Sequence, residues 1–289
     1  MQIQALHPSD NLYPFLLKQI QKPPDPLYVS GTLLEREPCF TVVGTRKPTA
    51  YGIEACKYFV AELCRTGFTI VSGLAFGIDA IAHQTALEEN CRTVAVLGSG
   101  PDVITPRSNE TLGKEIETHG ALVSELPPGT DAQKFTFPQR DRVMAGCSFG
   151  TLVIEAGYKS GALITARNAT EHGRDVFCVP GPIFSLTSQG TNRLIQQGAK
   201  LVTTVDDILE EYADFHQAGL TFPSRGRSDN VHSMAGQAII ACLTEPKSLD
   251  AIHAETGIAL GELQASVTLL ELNHTIAHLP DGTYRLIHE

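Results

Sequence analysis

Three apolar runs in this chain each end in a glycine turn that opens a helix: Thr41-Val-Val-Gly44, Ile70-Val-Ser-Gly73 and Val94-Ala-Val-Leu-Gly98. Runs that are apolar throughout are strands covered on both faces, and strands alternating with helical patterns pack as a parallel sheet between two helical layers. In such a sheet every strand-to-helix turn falls at the carboxyl ends of the strands. That rim collects backbone N–H groups and helix N-termini into a concave strip suited to anions, phosphate above all. The alternation runs from Cys39 to about Tyr212. It predicts helices after Thr49 and Gly77 and further strands at 121–124, 151–155, 175–179 and 200–202. The expected fold class is α/β, a doubly wound parallel sheet.

The rest of the chain divides around that core. Residues 1–38 read as an N-terminal extension, with a short amphipathic piece (13–20) and a proline-rich extended stretch (23–26). Periodicity stops over 213–234, where glycine, proline, serine and asparagine dominate, and this is the predicted linker. Residues 235–289 read as a small C-terminal winged-helix domain: three helices, then a hairpin signalled by Asp281-Gly282. From 232 to 289 there are two basic residues, Lys247 and Arg285, against seven acidic ones, a net of five negative charges. The would-be recognition helix, 260–273, has no Lys or Arg at all. A groove-reading helix needs such donors, so the expected partner of this domain is a protein and not DNA.

Totals restrict the partners further. The formal net charge of −10 excludes a broad cationic coating, so any nucleic-acid contact must come from a local basic pocket. No apolar run approaches the ~18 residues of a membrane span, and the first residues lack the pattern of a secretory signal. The seven cysteines are odd in number and include no C-x-x-C pair, which fits reduced thiols in a cytoplasmic protein and neither disulfides nor a metal site.

Four segments carry the candidate chemistry. In the first turn Gly44 permits a tight bend, Thr45 follows it, Thr49 is placed to cap the helix, and Arg46 offers a planar fork for phosphate. The turn is not G-x-G-x-x-G and no acidic residue ends the second strand, so no nicotinamide or flavin cofactor is expected. In Ser72-Gly-Leu-Ala-Phe-Gly-Ile-Asp79, Ser72 and Gly73 allow close approach of a ligand. Asp79 and His83, four apart, read either as an acid–base pair or as a helix-surface hydrogen bond; with no nucleophile signature nearby, the structural role is favoured. The most pointed segment is Lys134-Phe-Thr-Phe-Pro-Gln-Arg-Asp-Arg142. Lys134, Arg140 and Arg142 supply charge, while Phe135 and Phe137 supply rings, of which Phe135 is expected to be the buried one. Base–aromatic stacking contributes ~1–3 kcal/mol per base whatever the sequence, so the segment points to a single nucleic-acid strand. Finally, Ser160, Gly161 and Thr165 open another helix able to present N–H groups to phosphate, and Glu155 before them is the lone carboxylate of the region.

Taken in order, these motifs resemble the DNA-processing protein A family, also called Smf. The resemblance runs from Tyr13-Pro14 through Val43-Gly-Thr-Arg46, the Ser72–Asp79 turn, His83, Phe137-Pro-Gln-Arg-Asp-Arg142, Glu155-Ala and Ser160-Gly-Ala-Leu-Ile-Thr-Ala166. It continues through Val179-Pro-Gly181 and Gly190-Thr-Asn192 to Leu194-Ile-Gln-Gln-Gly-Ala199. The resemblance implies a Rossmann-type core that binds single-stranded DNA, forms a homodimer and loads a RecA-type recombinase onto incoming strands in natural transformation, without catalysis. It places phosphate contacts at Gly44, Arg46 and Lys134 and a base stack at Phe137. The family usually reads Arg-Asn-Arg where this chain has Arg140-Asp141-Arg142, so a carboxylate takes the place of a neutral amide beside the anion site. A second reading is an enzyme: Gly150-Thr-Leu-Val-Ile-Glu155 resembles the Gly-Thr-x-x-Glu stretch of nucleotide phosphoribohydrolases on a related core, where Glu155 would help cleave an N-glycosidic bond. The Pro-Gly-Gly that precedes that stretch is missing here, where Ala145-Gly-Cys-Ser148 stands.

Overall fold

The computed structural model describes residues 3–212, 234–243, 245–272, 275–279 and 282–286. The expected 213–234 linker lies outside the described residues except for Met234. The chain divides into two compact units, residues 1–223 and 224–289.

The first unit is built on a nine-stranded sheet. Its strands are β1 (Gln4–Leu6), β2 (Leu27–Gly31), β3 (Cys39–Val43), β4 (Thr69–Ser72), β5 (Thr93–Val96), β6 (Ala121–Ser124), β7 (Gly150–Val153), β8 (Asp175–Cys178) and β9 (Lys200–Leu201). The spatial order is β1-β2-β6-β5-β4-β3-β7-β8-β9. From β6 to β9 every pairing is parallel. The doubly wound parallel sheet read from the sequence is therefore present, with an antiparallel border that was not foreseen: β2 pairs with β6, and β1 with β2. Its signal was weak because β1 has only three residues and the proline-rich stretch stands between it and β2.

Strand order reverses between β3 and β7. Successive crossovers leave β3 in one direction as far as β6, then return to β7 and continue the other way. The loops following β3 and β7 therefore diverge to opposite faces and leave a crevice between them, the place where open α/β sheets receive ligands. The helices are α1 (Ala50–Arg65), α2 (Ile78–Glu88), α3 (Glu110–His119), α4 (Thr136–Cys147), α5 (Ala162–Glu171), α6 (Gln189–Gln196) and α7 (Asp206–Leu209). The helix expected after Thr49 is α1, and on its buried face Cys56, Val60, Leu63 and Cys64 join Phe40 and Val42 of β3 in one core cluster. A second cluster on the opposite face joins Val43, Val71 and Val96 to Val143 and Met144 of α4 and Ala162 and Ala166 of α5. Tyr13, Leu17 and Ile20, from the segment ahead of the sheet, are buried in that second cluster. All seven cysteines are free, six of them buried. Among the described residues no helix is long and apolar enough to cross a membrane.

The second unit holds α8 (Met234–Cys242), α9 (Leu249–Thr256) and α10 (Leu260–Leu272), with a three-stranded antiparallel sheet of β10 (Lys247–Ser248), β11 (Ile276–His278) and β12 (Thr283–Leu286). Ser248 caps α9 by accepting from the Ala251 N–H, and Gly257 ends it in the left-handed region. Ile239, Leu243, Ile252, Leu263, Val267 and Leu270 form its own core.

Candidate nucleic-acid interface

The crevice at the β3/β7 reversal is a cavity of about 740 Å³. Three loops and the start of one helix build it. Gly44, Thr45 and Arg46 follow β3; Ala75 and Asp79 follow β4; Gly157, Lys159, Ser160, Gly161, Ile164 and Thr165 follow β7; and α4 brings in Lys134, Phe137, Arg140 and Asp141. Nine of the twelve predicted site residues therefore lie in one cavity with charge and a ring together.

Local sequence explains the first two loops. The turn after β4 presses against the turn after β3, and the Ile78 N–H donates to the Thr45 carbonyl at 3.2 Å. Gly77 has φ of +76°, and a Cβ there would overlap the backbone of Thr45 and Arg46, so this contact requires glycine. Helix α4 crosses the sheet between β6 and β7. Pro138 in its first turn is harmless because N–H groups there have no helical acceptor. The geometry corrects one expectation: Phe135 precedes the first turn and is 60% exposed, whereas Phe137 is the half-buried ring facing the cavity. Its ring centroid lies 5.8 Å from the Arg46 guanidinium carbon.

The cations divide into two groups. Arg46, Lys134 and Lys159 are exposed on the cavity, and none of them forms an ion pair among the described residues. Arg140 is turned inward and only 6% exposed. Its Nη1 donates to the Val96 carbonyl at 2.8 Å and its Nε to Asp141 at 3.0 Å. Gly73 exists for this guanidinium, which a Cβ would overlap. Arg142 points elsewhere, to the Glu125 carboxylate and the Lys22 carbonyl. Ser72 and Gly73 stand behind the cavity and do not line it; the Ser72 hydroxyl donates to the Val42 carbonyl at 2.7 Å. Lys159 escaped the sequence reading, although it adjoins the Ser160-Gly161 pair that was noted.

The carboxylates have structural partners. Burial pushes Asp141 up to about 6, opposed by Arg140 and reinforced by Asp79. Burial also raises Asp79, again opposed by Arg140. His83 is not on a helix surface: it is fully buried, and its Nδ1 meets the Thr93 hydroxyl at 2.7 Å. Burial, reinforced by Arg140, holds its pKa down at about 3, so the ring is neutral at any physiological pH. Glu155 is 2% exposed. Its Oε2 accepts from the Thr49 N–H at 2.9 Å, and its Oε1 accepts from the hydroxyls of Thr49 at 2.7 Å and Thr187 at 2.9 Å. Three loops are tied at this one side chain. Thr49 caps α1 by accepting from the Gly52 N–H, and Glu155 in turn holds Thr49 in place at the start of that helix.

Comparison with known proteins follows the same outline. Residues 4–213 match the family described as DNA recombination-mediator protein A. The chain is 44% identical to the DNA processing protein DprA of Bacillus subtilis over 211 residues, 72% of this chain and 71% of that protein. It is 37% identical to protein Smf of Escherichia coli over 292 residues, 97% of this chain and 77% of that protein. Among solved structures it resembles DprA of Streptococcus pneumoniae, with 41% identity, a TM-score of 0.70 and coverage of 73% and 74% of the two chains. A Helicobacter pylori DNA processing protein A, described for a unique single-stranded DNA binding mode, aligns at 27% identity and a TM-score of 0.65, covering 74% and 97%.

Proposed function

The chain belongs to the DNA recombination-mediator protein A family, and from that premise we propose that its switch-point cavity binds single-stranded DNA without regard to sequence. The observation that carries this reading is the Arg46–Phe137 pair, a guanidinium beside a half-buried ring, with Lys134 and Lys159, which form no ion pair among the described residues, on the same cavity. Phosphate takes the cations and a base takes the ring, and neither contact reads base edges. Ser160 and Gly161 add backbone N–H groups at the start of α5.

The proposed role is non-catalytic. In its support, Glu155, the residue on which the phosphoribohydrolase reading depended, is consumed as a loop tie. The reading extends to homodimerisation and to loading a RecA-type recombinase onto incoming strands. Support for protein contact comes from the loop before α6, where Ile183, Phe184 and Leu186 are 76, 93 and 74% exposed, an apolar cluster that association would shield.

The test is fluorescence anisotropy with labelled oligo-dT across a salt series. Arg46→Ala and Lys134→Ala are each expected to weaken binding and to reduce the slope of log K against log salt by about 0.7, the share of one single-strand phosphate. Wild-type affinity and slope in both variants would remove the cavity from the proposal.

A further inference from the structure

We propose that the bound strand does not end at the switch-point cavity but continues over the loop after β7 onto a second ring–guanidinium unit, Tyr158 with Arg193. This inference rests on the single-strand reading above and extends it to residues that neither the motifs nor the cavity lining include.

The second unit repeats the chemistry of the first. Arg193 of α6 places its guanidinium carbon 4.9 Å from the Tyr158 ring centroid, as Arg46 does at 5.8 Å from Phe137. Tyr158 is 58% exposed, and Arg193 is also exposed with no ion pair among the described residues. In an acidic chain where Arg65, Arg92, Arg142 and Arg167 each hold a carboxylate, this arginine holds a ring instead. A cation resting on a ring keeps its full charge and its N–H donors available for phosphate. With the tyrosine 58% exposed, ring surface remains for a base.

The two units are joined and held. Lys159, next in sequence to Tyr158, lines the first cavity, as do Gly157 on the other side and Ser160 beyond. A strand leaving Phe137 along these residues passes the end of β7 toward β8, where α6 begins. The start of α6 is fastened to that loop: the Gly190 N–H donates to the Ala156 carbonyl at 2.7 Å, and the Thr187 hydroxyl to Glu155 at 2.9 Å. The position of Arg193 over Tyr158 is thereby set by the same side chain that fixes the first cavity. Ring, cation and lysine bridge together form a track for a polyanion with unpaired bases.

The experiment compares oligo-dT of about 4 and about 12 nucleotides, lengths that bracket one cavity and a longer track. Tyr158→Ala and Arg193→Ala are expected to leave the shorter oligomer's affinity unchanged and to weaken the longer by about fivefold or more, the low end for one lost stack. Arg193→Ala should also lower the salt slope for the longer oligomer by about 0.7, and Tyr158→Phe should bind as wild type. Both positions are exposed, so unchanged thermal melting confirms that the variants are folded. If both alanine variants keep wild-type affinity for the longer oligomer while Arg46→Ala loses it, the extension is wrong and the cavity reading stands. If wild type binds neither length, both fall together.

Discussion

Arg140 and Asp141 are adjacent in sequence and have opposite consequences for an anion, yet their side chains neutralise one another inside the protein. What a change of pH alters at this site is therefore the protonation of Asp141. Its carboxyl sits at about 6, with Arg140 and Asp79 against it and Arg46 nearby. A phosphate brought into the cavity favours the neutral acid, so binding takes up a proton. Affinity for oligo-dT should rise as pH falls from about 7.5 to about 5.5. Asp141→Asn should bind more tightly at pH ~7.5 and show a flatter dependence, measured by anisotropy at fixed ionic strength. Identical pH profiles for the two proteins would count against any role for this carboxyl. Folding follows the same shift: the pKa is raised above the ~3.9 of an unfolded aspartate, so the stabilising contribution is full below that value and lost as pH rises through about 6. The residue scale also shows where sequence reading stops. Phe135 and Phe137 differ only in which side of the first helical residue they occupy, and no periodicity across two residues separates them.

At the scale of elements, the site depends on four segments arriving at one rim, and Glu155 ties two of them, the loops after β3 and β7, to the loop before α6. Replacing it with alanine leaves the Thr49 N–H and two hydroxyls without their acceptor, which costs about 1–3 kcal/mol for the buried groups. Glu155→Ala should therefore lower the urea midpoint and weaken oligonucleotide binding together, although Glu155 touches no DNA in this reading. A variant with unchanged stability and lost binding would instead argue for direct contact or chemistry at Glu155. Helix α4 was legible as basic and aromatic, but its route was not. It crosses the sheet and sinks Arg140 against the ends of β4 and β5, so a residue that reads as a phosphate ligand becomes an internal strut.

For the whole molecule, charge is the governing quantity. With a net of −10, only a few cations can hold a polyanion, and half of that net, −5, falls in residues 232–289. Removing residues 232–289 should leave oligonucleotide affinity within about twofold and the salt slope unchanged. A large loss of affinity would overturn the view that this unit serves protein contact. The sequence by itself determined the parallel α/β core, the rim on which its turns meet and nine of the residues that line its cavity. These follow from local patterns: apolar runs, glycine turns and helix starts, which act over a few neighbouring residues. The tertiary structure alone decided where strand order reverses, that β1 and β2 border the sheet, which of the described arginines form ion pairs, which phenylalanine faces the cavity and that Arg193 lies over Tyr158. Each of these depends on groups distant in sequence competing for the same space and the same hydrogen-bond partners, and only packing resolves that competition.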